Sequence, residues 1–581
     1  MSQEYLRSYN TDVVTTQVNA TYSFTKNLSF LVRTGATINN VSQDLKIPYS
    51  FIDYGTSKAP FGQYYINNLG SLRIVSDALL TYQNKFGDFD VTVSAGASSR
   101  YDRADSLYAN TVGGLAVPNN YTLENTRDPL FSRNALTEKQ YQSLFGYTDL
   151  SYKNMIYVSL TGRNDWTTAL QRPNNSFFYP SAGLGLVVSQ MVKLPAAISW
   201  FKLCGAWAQV SSDVNPYYTL QTYSRGTRWN GVPSLSLPST LIGSDIQPQT
   251  TASQEYGAEM KFLRNRFGID FTYYRYLNKD FVLDVPISQA SGYVARRVNA
   301  DEAIKRGIEV VISGTPVKTK NFQWSTVLNY SRIRNIAKSF YGGDSIRNGV
   351  KTGERSDVYR GYAWQKTPDG QQVFSNGLPQ YINQLVNLGY LNPDWEFGFV
   401  NSFSYKNFSL SFTVDGQIGG RMFNGAEGKM YEGGMHRATS NHYRDEAYNG
   451  EKTYLAPGAV VTDGDVTYDQ QGNIISDTRK FAANDTKVNY IDYIFSQYTN
   501  GVDESLQYKR TFVKLREVII SYNVPTTLFR KAPFKAASVS LTGRNLALFT
   551  KVPFMDPESY SSYSLAEPTY RNIGLNLSFT F

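Results

Sequence analysis

The last eleven residues of the chain, 571–581, alternate between apolar and polar side chains. The apolar set is Ile573, Leu575, Leu577, Phe579 and Phe581. The polar set is Gly574, Asn576, Ser578 and Thr580. Successive side chains of a β-strand point to opposite faces, so this segment has one face suited to hydrocarbon and one suited to water. That division is typical of a strand in the wall of a transmembrane β-barrel.

The same alternation recurs from residue 13 onward in segments that come in pairs. The predicted strands are Val13–Phe24, Leu28–Ile38, Leu72–Gln83, Phe89–Tyr101, Ser143–Tyr152, Ile156–Asp165, Pro180–Gln190, Trp200–Ser211, Ala252–Leu263, Phe267–Asn278, Ala303–Pro316, Phe322–Arg334, Trp395–Tyr405, Phe408–Ile418, Thr511–Asn523, Lys535–Ala547 and Arg571–Phe581. These segments match the ~9–11 residues that a tilted transmembrane strand needs. We therefore predict an all-β, antiparallel transmembrane barrel with about 17 strands in this chain.

The predicted connections differ in length at the two ends of the strands. Turns within pairs are short, as at Lys26-Asn27, Lys153-Asn154 and Lys406-Asn407, and a longer one is expected at Pro525–Pro533. The long connections fall at 39–70, 102–141, 213–251, 335–394 and 419–510. Short turns on one side and long loops on the other are typical of the periplasmic and extracellular ends of outer-membrane barrels.

Composition agrees with a barrel and excludes several other classes. Aromatic residues make up 14% of the chain, which suits aromatic belts at two membrane interfaces. Mean hydropathy is −0.37 and no run of ~18 apolar residues occurs, so helical membrane spans are not expected. One cysteine, Cys204, rules out an internal disulfide, and two histidines leave no ordinary Cys/His metal site. The net charge of +9 is scattered along the chain, so no nucleic-acid partner is expected.

The predicted strand count falls about five short of the ~22 strands that surround a plugged lumen in large outer-membrane transporters. Residues 1–25 also lack the charged and apolar regions of a signal peptide, so we interpret the chain as the later part of something longer. An unpaired backbone group in hydrocarbon costs several kcal/mol. We therefore expect a complementary polypeptide to close the barrel; a parallel seam between the first and last strands is the alternative.

The alternation assigns several charged side chains to the polar face. These residues are Glu255, Glu259, Asp270 and Glu309. A charge on the lipid face is costly, at ~2–4 kcal/mol for Lys or Arg at mid-bilayer, so we expect these carboxylates to face the lumen. The sequence leaves open whether they contact cargo or pair with other charges of the barrel and a plug.

An ordered set of short motifs extends over nearly the whole chain. It includes Gly162-Arg-Asn-Asp-Trp166, Glu255-Tyr-Gly-Ala-Glu259, Lys305-Arg-Gly-Ile-Glu309, Asn392-Pro-Asp-Trp395, Gly543-Arg-Asn-Leu546 and Asp556-Pro-Glu558. Each motif is weak by itself, but the order is specific. The set resembles the barrel of the SusC/RagA family of TonB-linked outer-membrane transporters.

The resemblance implies active import of oligosaccharides or peptides across the outer membrane of a Gram-negative, Bacteroidetes-type cell. It implies a SusD-like surface lipoprotein that caps the barrel, and a TonB–ExbB–ExbD motor that acts through an N-terminal plug. The plug, TonB box, signal peptide and first strands have no counterpart here, so residues 1–581 are interpreted as a partial barrel domain embedded in membrane lipid. The alternatives are a passive porin-like channel, a surface adhesin or scaffold barrel, and a membrane enzyme. The last is not expected, because no credible nucleophile–base pair is visible.

Candidate binding residues lie in the long loops. Trp229 and Trp364 are candidates for stacking on a sugar ring, although loop packing is the default interpretation of both. Asp463, Asp465 and Asp469 weakly resemble a calcium loop, but the twelfth position is Ile474 rather than the Glu that an EF-hand requires. A structural calcium in an irregular loop is therefore the one cofactor candidate.

Overall fold

The computed structural model describes residues 6–51, 59–226, 229–230, 232–243, 245–525, 527, 535–559 and 569–581. The chain divides into two compact units. Unit 1 comprises Met1–Gly185, Ala206–Ala252 and Lys279–Ala300, and unit 2 comprises Leu186–Gly205, Ser253–Asn278 and Asp301–Phe581. Among the helices of the described ranges, none has the length and apolarity needed to cross a membrane.

Seventeen strands of nine residues or more dominate the described residues. They are β1 Leu6–Ser23, β2 Leu28–Ile47, β3 Gln63–Phe86, β4 Phe89–Leu115, β5 Thr126–Tyr152, β6 Ile156–Thr167, β7 Ser176–Val187, β8 Ile198–Ser212, β9 Gln249–Phe262, β10 Phe267–Pro286, β11 Ala295–Lys318, β12 Phe322–Ser339, β13 Pro393–Tyr405, β14 Phe408–Gly419, β15 Phe512–Val524, β16 Ala536–Thr550 and β17 Asn572–Thr580. Each predicted strand has a counterpart, so the prediction of about 17 antiparallel strands is confirmed.

Three strands of unit 1 are much longer than predicted. β3, β4 and β5 contain 24, 27 and 27 residues. β3 pairs with β4 without interruption from Tyr65–Asn110 to Phe86–Phe89, so much of the predicted loops at 39–70 and 102–141 is strand. The prediction stopped early because the apolar signal weakens there, whereas the backbone ladder continues. The predicted connection Pro525–Pro533 lies largely outside the described residues.

Short turns close the hairpins at the positions that the sequence indicates. The turn between β5 and β6 places Lys153 at φ 50° and Asn154 at φ 54°. Two successive residues with positive φ define a type I′ turn, whose twist matches that of the strands it joins. Asn tolerates this conformation better than most residues, which explains the Lys-Asn pair at the turn.

Strand register in unit 2 sorts side chains into an apolar face and a polar face. Leu410 of β14 lies opposite Ile520 of β15, Ile520 lies opposite Leu541 of β16, and Leu541 lies opposite Leu575 of β17. We call this side of the sheet the apolar face. Ile520, Leu541 and Leu575 are 48%, 48% and 66% exposed, as expected for side chains that contact lipid. The neighbouring row, on the polar face, is Ser411, Ile519, Thr542 and Gly574.

Unit 1 shows the same division between β2 and β5. One row across these strands is Val32, Ala78, Ala97 and Leu144. The adjacent row, on the other face, is Arg33, Asp77, Ser98 and Ser143. Asp77 accepts hydrogen bonds from Arg33 at 2.6 Å and from Ser98 at 2.6 Å. The charged row is therefore internally paired, and the apolar row is left exposed.

Smaller elements occur in the connections. The helices are α1 Val188–Met191, α2 Gly425–Glu432, α3 His442–Tyr448 and α4 Tyr490–Tyr498. The 3-10 turns are Gln289–Ser291, Tyr341–Gly343, Arg437–Thr439, Asp503–Leu506 and Pro557–Ser559. The short strands are Ser224–Arg225, Leu235–Ser236, Thr240–Ile242, Ile346–Arg347, Val350–Lys351, Val358–Gly361, Val373–Ser375, Leu378–Pro379, Val386–Tyr390, Arg421–Phe423, Ala459–Asp463, Val466–Tyr468, Ile474–Asp477, Lys480–Ala483 and Gln507–Lys509.

Adjacent isoleucines of β15 provide a direct test of the two faces. Ile520→Arg places a charge among the apolar side chains and should destabilise the folded barrel by ~2–4 kcal/mol if the site lies near mid-bilayer. Ile519→Arg places the same charge beside Ser411 and Thr542 and should cost much less. Urea unfolding of the complete protein in lipid vesicles measures both values. Equal destabilisation would contradict the assignment of the faces.

Candidate functional site

The four carboxylates that the sequence assigned to a polar face lie on β9, β10 and β11 of unit 2. Glu255 accepts a hydrogen bond from the hydroxyl of Tyr276 at 2.7 Å, and Glu259 forms an ion pair with Lys261 at 2.9 Å. Asp270 is six residues from Tyr276 on the same strand, so both point to one face. The carboxylates of Glu255 and Glu259 therefore have partners within the sheet.

Close packing between β10 and β11 places Glu309 on that same face. A Cβ added at Gly307 would lie 2.4 Å from the hydroxyl of Tyr274, and Glu309 is two residues further along β11. Only glycine leaves room for the Tyr274 ring at this point, since a Cβ contact under 3.0 Å would force the ring to move. The face combines carboxylates with tyrosine hydroxyls, which can donate hydrogen bonds to polar cargo. Contact of these carboxylates with cargo or a plug stays a prediction.

The two candidate tryptophans have opposite environments. Trp229, in unit 1, is 82% exposed, and its backbone forms a two-way bridge with Val232. Trp364, in unit 2, is 6% exposed, and its indole N–H donates to the Ser505 hydroxyl at 2.8 Å. The ring of Trp364 therefore packs inside a loop with its N–H satisfied, which agrees with the loop-packing interpretation of this residue. Cargo contact by Trp229 stays a prediction.

Two of the three aspartates of the candidate calcium loop have carboxylates that are engaged by protein groups. Asp463 forms an ion pair with Lys480 at 2.8 Å, and hydrogen bonding to Lys480 lowers the pKa of Asp463. Asp469 accepts the backbone N–H of Asn473 at 2.9 Å, which closes a turn. Within the described part of the chain, no three acidic, histidine or cysteine side chains lie close enough together to hold a metal ion. The expected cluster with Asp465 is therefore not formed.

The loop between β14 and β15 folds around an aromatic core in unit 2. Its buried residues are Tyr431, Ala447, Tyr490, Ile494 and Leu506. His436 stacks on Tyr431 with ring centroids 3.9 Å apart, and its Nδ1 accepts the backbone N–H of Ala438 at 3.1 Å. The imidazole is thus used for packing and turn formation.

A buried charge network lies where the connection after β16 meets the strands of unit 2. Lys514, only 1% exposed, contacts Asp556 at 2.6 Å and Glu558 at 2.6 Å. Arg516 contacts Glu558 at 2.8 Å and Asp415 of β14 at 2.8 Å. The network fastens residues 556–558 to β14 and β15. The Asp556-Pro-Glu558 motif is visible in the sequence, but the network is not predicted from it; the available signal was a lysine inside an otherwise strand-like segment.

The carboxylates of this network are ionised because cations surround them. Hydrogen bonds from Arg516, helped by Lys514, lower the pKa of Glu558 to about 2. Burial alone would raise the pKa of Asp556, but hydrogen bonds from Lys514 and Thr569 lower it overall. Buried ion pairs are costly to break because the remaining charge is left without a partner.

A second network, in unit 1, centres on Asp213. This carboxylate accepts hydrogen bonds from Lys139 at 2.7 Å, from the hydroxyl of Tyr141 at 2.5 Å and from the hydroxyl of Thr167. Its side chain is 5% exposed. Asp213 thereby fastens the start of the connection after β8 to β5 and β6. In each unit, a buried carboxylate fixes a long connection against the strands.

Comparison with known families identifies this architecture. The profile of the family described as TonB dependent receptor-like, beta-barrel matches residues 2–484. The chain belongs to this family of TonB-dependent receptor β-barrels. Its members are receptors and transporters of the outer membrane rather than enzymes, and the predicted membership of the SusC/RagA group is confirmed.

Curated relatives of this barrel include receptors of Formosa agariphila and Bacteroides thetaiotaomicron. TonB-dependent receptor P26 of Formosa agariphila is 24% identical over 559 residues, which cover 86% of this chain and 52% of the relative. TonB-dependent receptor SusC of Bacteroides thetaiotaomicron is 25% identical over 308 residues, which cover 47% of this chain and 30% of the relative. The chain spans about half the length of the full-length Formosa receptors it matches.

A solved structure shares the fold of this TonB-dependent receptor barrel. The RagAB peptide transporter matches with a TM-score of 0.74 at 17% identity, covering 100% of this chain and 63% of the other. At this identity the match concerns the fold. It supports the predicted barrel class.

Removal of the Lys514 ammonium group from its buried network with Asp556 and Glu558 should destabilise unit 2. Lys514→Met leaves Asp556 buried without its partner and should cost about 3–5 kcal/mol. Lys480→Met, which breaks the ion pair with Asp463 between side chains that are 72% and 66% exposed, should cost much less, because solvent screens an exposed pair. Denaturant unfolding of the complete protein compares the two variants, and similar losses would show that burial does not strengthen the Lys514 network.

The network should also resist acid. Because the pKa of Glu558 is lowered from 4.5 to about 2, its stabilisation is fully present above pH 4.5 and is lost as pH falls through about 2. Hydrogen exchange of residues 551–559 should therefore stay slow at pH 4 and accelerate only near pH 2. Glu558→Gln should weaken this dependence, and the lowered pKa of Asp556 contributes what remains. Release of the segment already at pH 4 in the wild-type protein would contradict the assigned pairing.

Proposed function

We propose that this chain forms the conduit of an active importer in the outer membrane. Membership of the TonB-dependent receptor barrel family over residues 2–484 carries the proposal. The division into an apolar face and a polar face supports it, because such strands separate lipid from a water-filled passage. The cargo class is oligosaccharides or peptides, which are too large to pass readily through a porin.

The importer is proposed to work with three further components. A SusD-like lipoprotein caps the loops at the cell surface, a TonB–ExbB–ExbD motor supplies energy, and polypeptide outside residues 1–581 supplies a plug and the remaining strands. The chain spans 50% of one curated relative and 63% of the matched transporter structure, which leaves room for these parts. Residues of β1 and β17 are mostly exposed on both faces, as strands that await a neighbour would be.

Uptake measurements test the import proposal. Deletion of the gene for the complete protein should abolish uptake of labelled oligosaccharides or peptides, and the same gene supplied in trans should restore it. A protonophore should stop uptake in the intact strain, since TonB-linked import needs the proton gradient. Uptake that persists without the gradient would indicate a passive pore, and an unchanged uptake in the deletion strain would indicate a scaffold or adhesin.

Purification of the native complex tests the partners. Intact mass measurement and sequencing of co-purifying chains should reveal a surface lipoprotein and the polypeptide that carries the plug. A single species of 65.4 kDa, monomeric in detergent, would contradict the proposal of a barrel completed by further polypeptide.

A further inference from the structure

A row of arginines crosses three strands of unit 2 on the apolar face. Arg306 of β11 lies directly opposite Arg334 of β12, and Arg332 lies opposite Ile308, the next residue of β11 on that face. These arginines occupy alternate positions with Ile308, so their side chains project from the same side as the apolar residues. Two like charges in opposed positions destabilise a sheet unless an anion lies between them.

A fourth arginine extends the row onto β10. The backbone N–H of Thr315 donates to the carbonyl of Arg266 at 2.8 Å, which sets the register between β10 and β11. Counting along both strands from this bond places Arg275 opposite Arg306. Its neighbour Tyr274 packs at Gly307 on the polar face, so Arg275 belongs to the apolar face.

The cluster of Arg275, Arg306, Arg332 and Arg334 has too little negative charge around it. Arg334 forms an ion pair with Asp394 at 3.0 Å, and Arg355 takes the same carboxylate oxygen at 3.3 Å. No hydrogen bond or ion pair to the side chains of Arg275, Arg306 or Arg332 is formed by any residue that the structure describes. Arg306 and Arg332 are exposed. A row of cations with one shared carboxylate is therefore a site for an anion.

The cluster lies at the border of the apolar face. Tyr330 and Trp395, with ring centroids 6.0 Å apart, lie next to it on the side of the apolar residues. Trp324, near the short turn of β12, is ten residues before Arg334, or about 34 Å along an extended strand. With a tilt of about 45°, that length gives roughly 24 Å, close to the ~25 Å apolar band of such barrels. The row of arginines therefore lies at the border of the band, on the side of the long connections.

We propose that Arg275, Arg306, Arg332 and Arg334 bind the phosphorylated headgroup of an outer-leaflet lipid. Guanidinium groups form paired, charge-assisted hydrogen bonds to phosphate, and several in one row can surround a phosphate from different directions. The adjoining apolar face receives the acyl chains of the same molecule, which a free anion lacks. The site uses the outer wall of the barrel and is independent of what the conduit transports.

Lipid retention tests the site in the complete protein. Nanodiscs of phosphatidylcholine with a minor fraction of phosphatidic acid supply a phosphomonoester headgroup, and diacylglycerol with the same acyl chains supplies the matched lipid without phosphate. Native mass spectrometry counts the lipids that remain bound. The wild-type protein should retain phosphatidic acid in preference to diacylglycerol, and the triple variant Arg275→Gln, Arg306→Gln, Arg332→Gln should retain about tenfold less or lower.

A matched control removes three charges from the opposite ends of the same strands. The variant Arg264→Gln, Lys318→Gln, Lys320→Gln changes exposed residues near the short turns and should retain phosphatidic acid as the wild-type protein does.

Equal retention by all three proteins would overturn the proposal. Displacement of the bound lipid by inorganic phosphate would also overturn it, because the site would then recognise a free anion only. If the triple variant fails to fold, as judged by heat-modifiable gel migration, Arg306→Gln alone should still lower retention, and no change would refute the site.

Discussion

Continuous antiparallel pairing of backbone groups is the interaction on which the rest of this structure depends. Water is absent from hydrocarbon, so every N–H and C=O of a spanning strand must find a partner in a neighbouring strand. That pairing sets the register, and a slip by one residue would exchange the two faces of a strand. The rows that run from Leu410 to Leu575 and from Val32 to Leu144 exist because the register is kept over several strands.

Paired strands provide rigid ends from which the long connections can fold. Within unit 2, the connection between β14 and β15 builds its own core around Tyr431 and Tyr490, with Asn489 capping α4 through the N–H of Ile491. Buried charges then fix connections to strands, as Asp556 does with Lys514. These contacts give the long connections a defined shape.

Much of the barrel wall could be predicted from local pattern, because alternation and turn chemistry act over a few residues. The type I′ turn at Lys153-Asn154 is an example, as is the pairing of β13 with β14. The lengths of β3 to β5 were underestimated, since beyond the lipid zone polar residues occupy both faces and the alternation fades. Loop contacts could not be predicted: Trp364 meets Ser505 across a sequence separation of 141 residues, and no local signal reports such a contact.

Local sequence accounts for the strands, their two faces and the turns, because these follow from which side chains lie one, two or four residues apart. It also contains the family motifs. Which charges meet depends on the folded chain, because opposed positions on neighbouring strands depend on register. Arg306 and Arg334 are 28 residues apart in the chain and become neighbours only when β11 pairs with β12. Asp556 and Lys514 are 42 residues apart in the chain. They become buried partners because the long connection after β16 packs against the strands, and local sequence preference does not determine that packing.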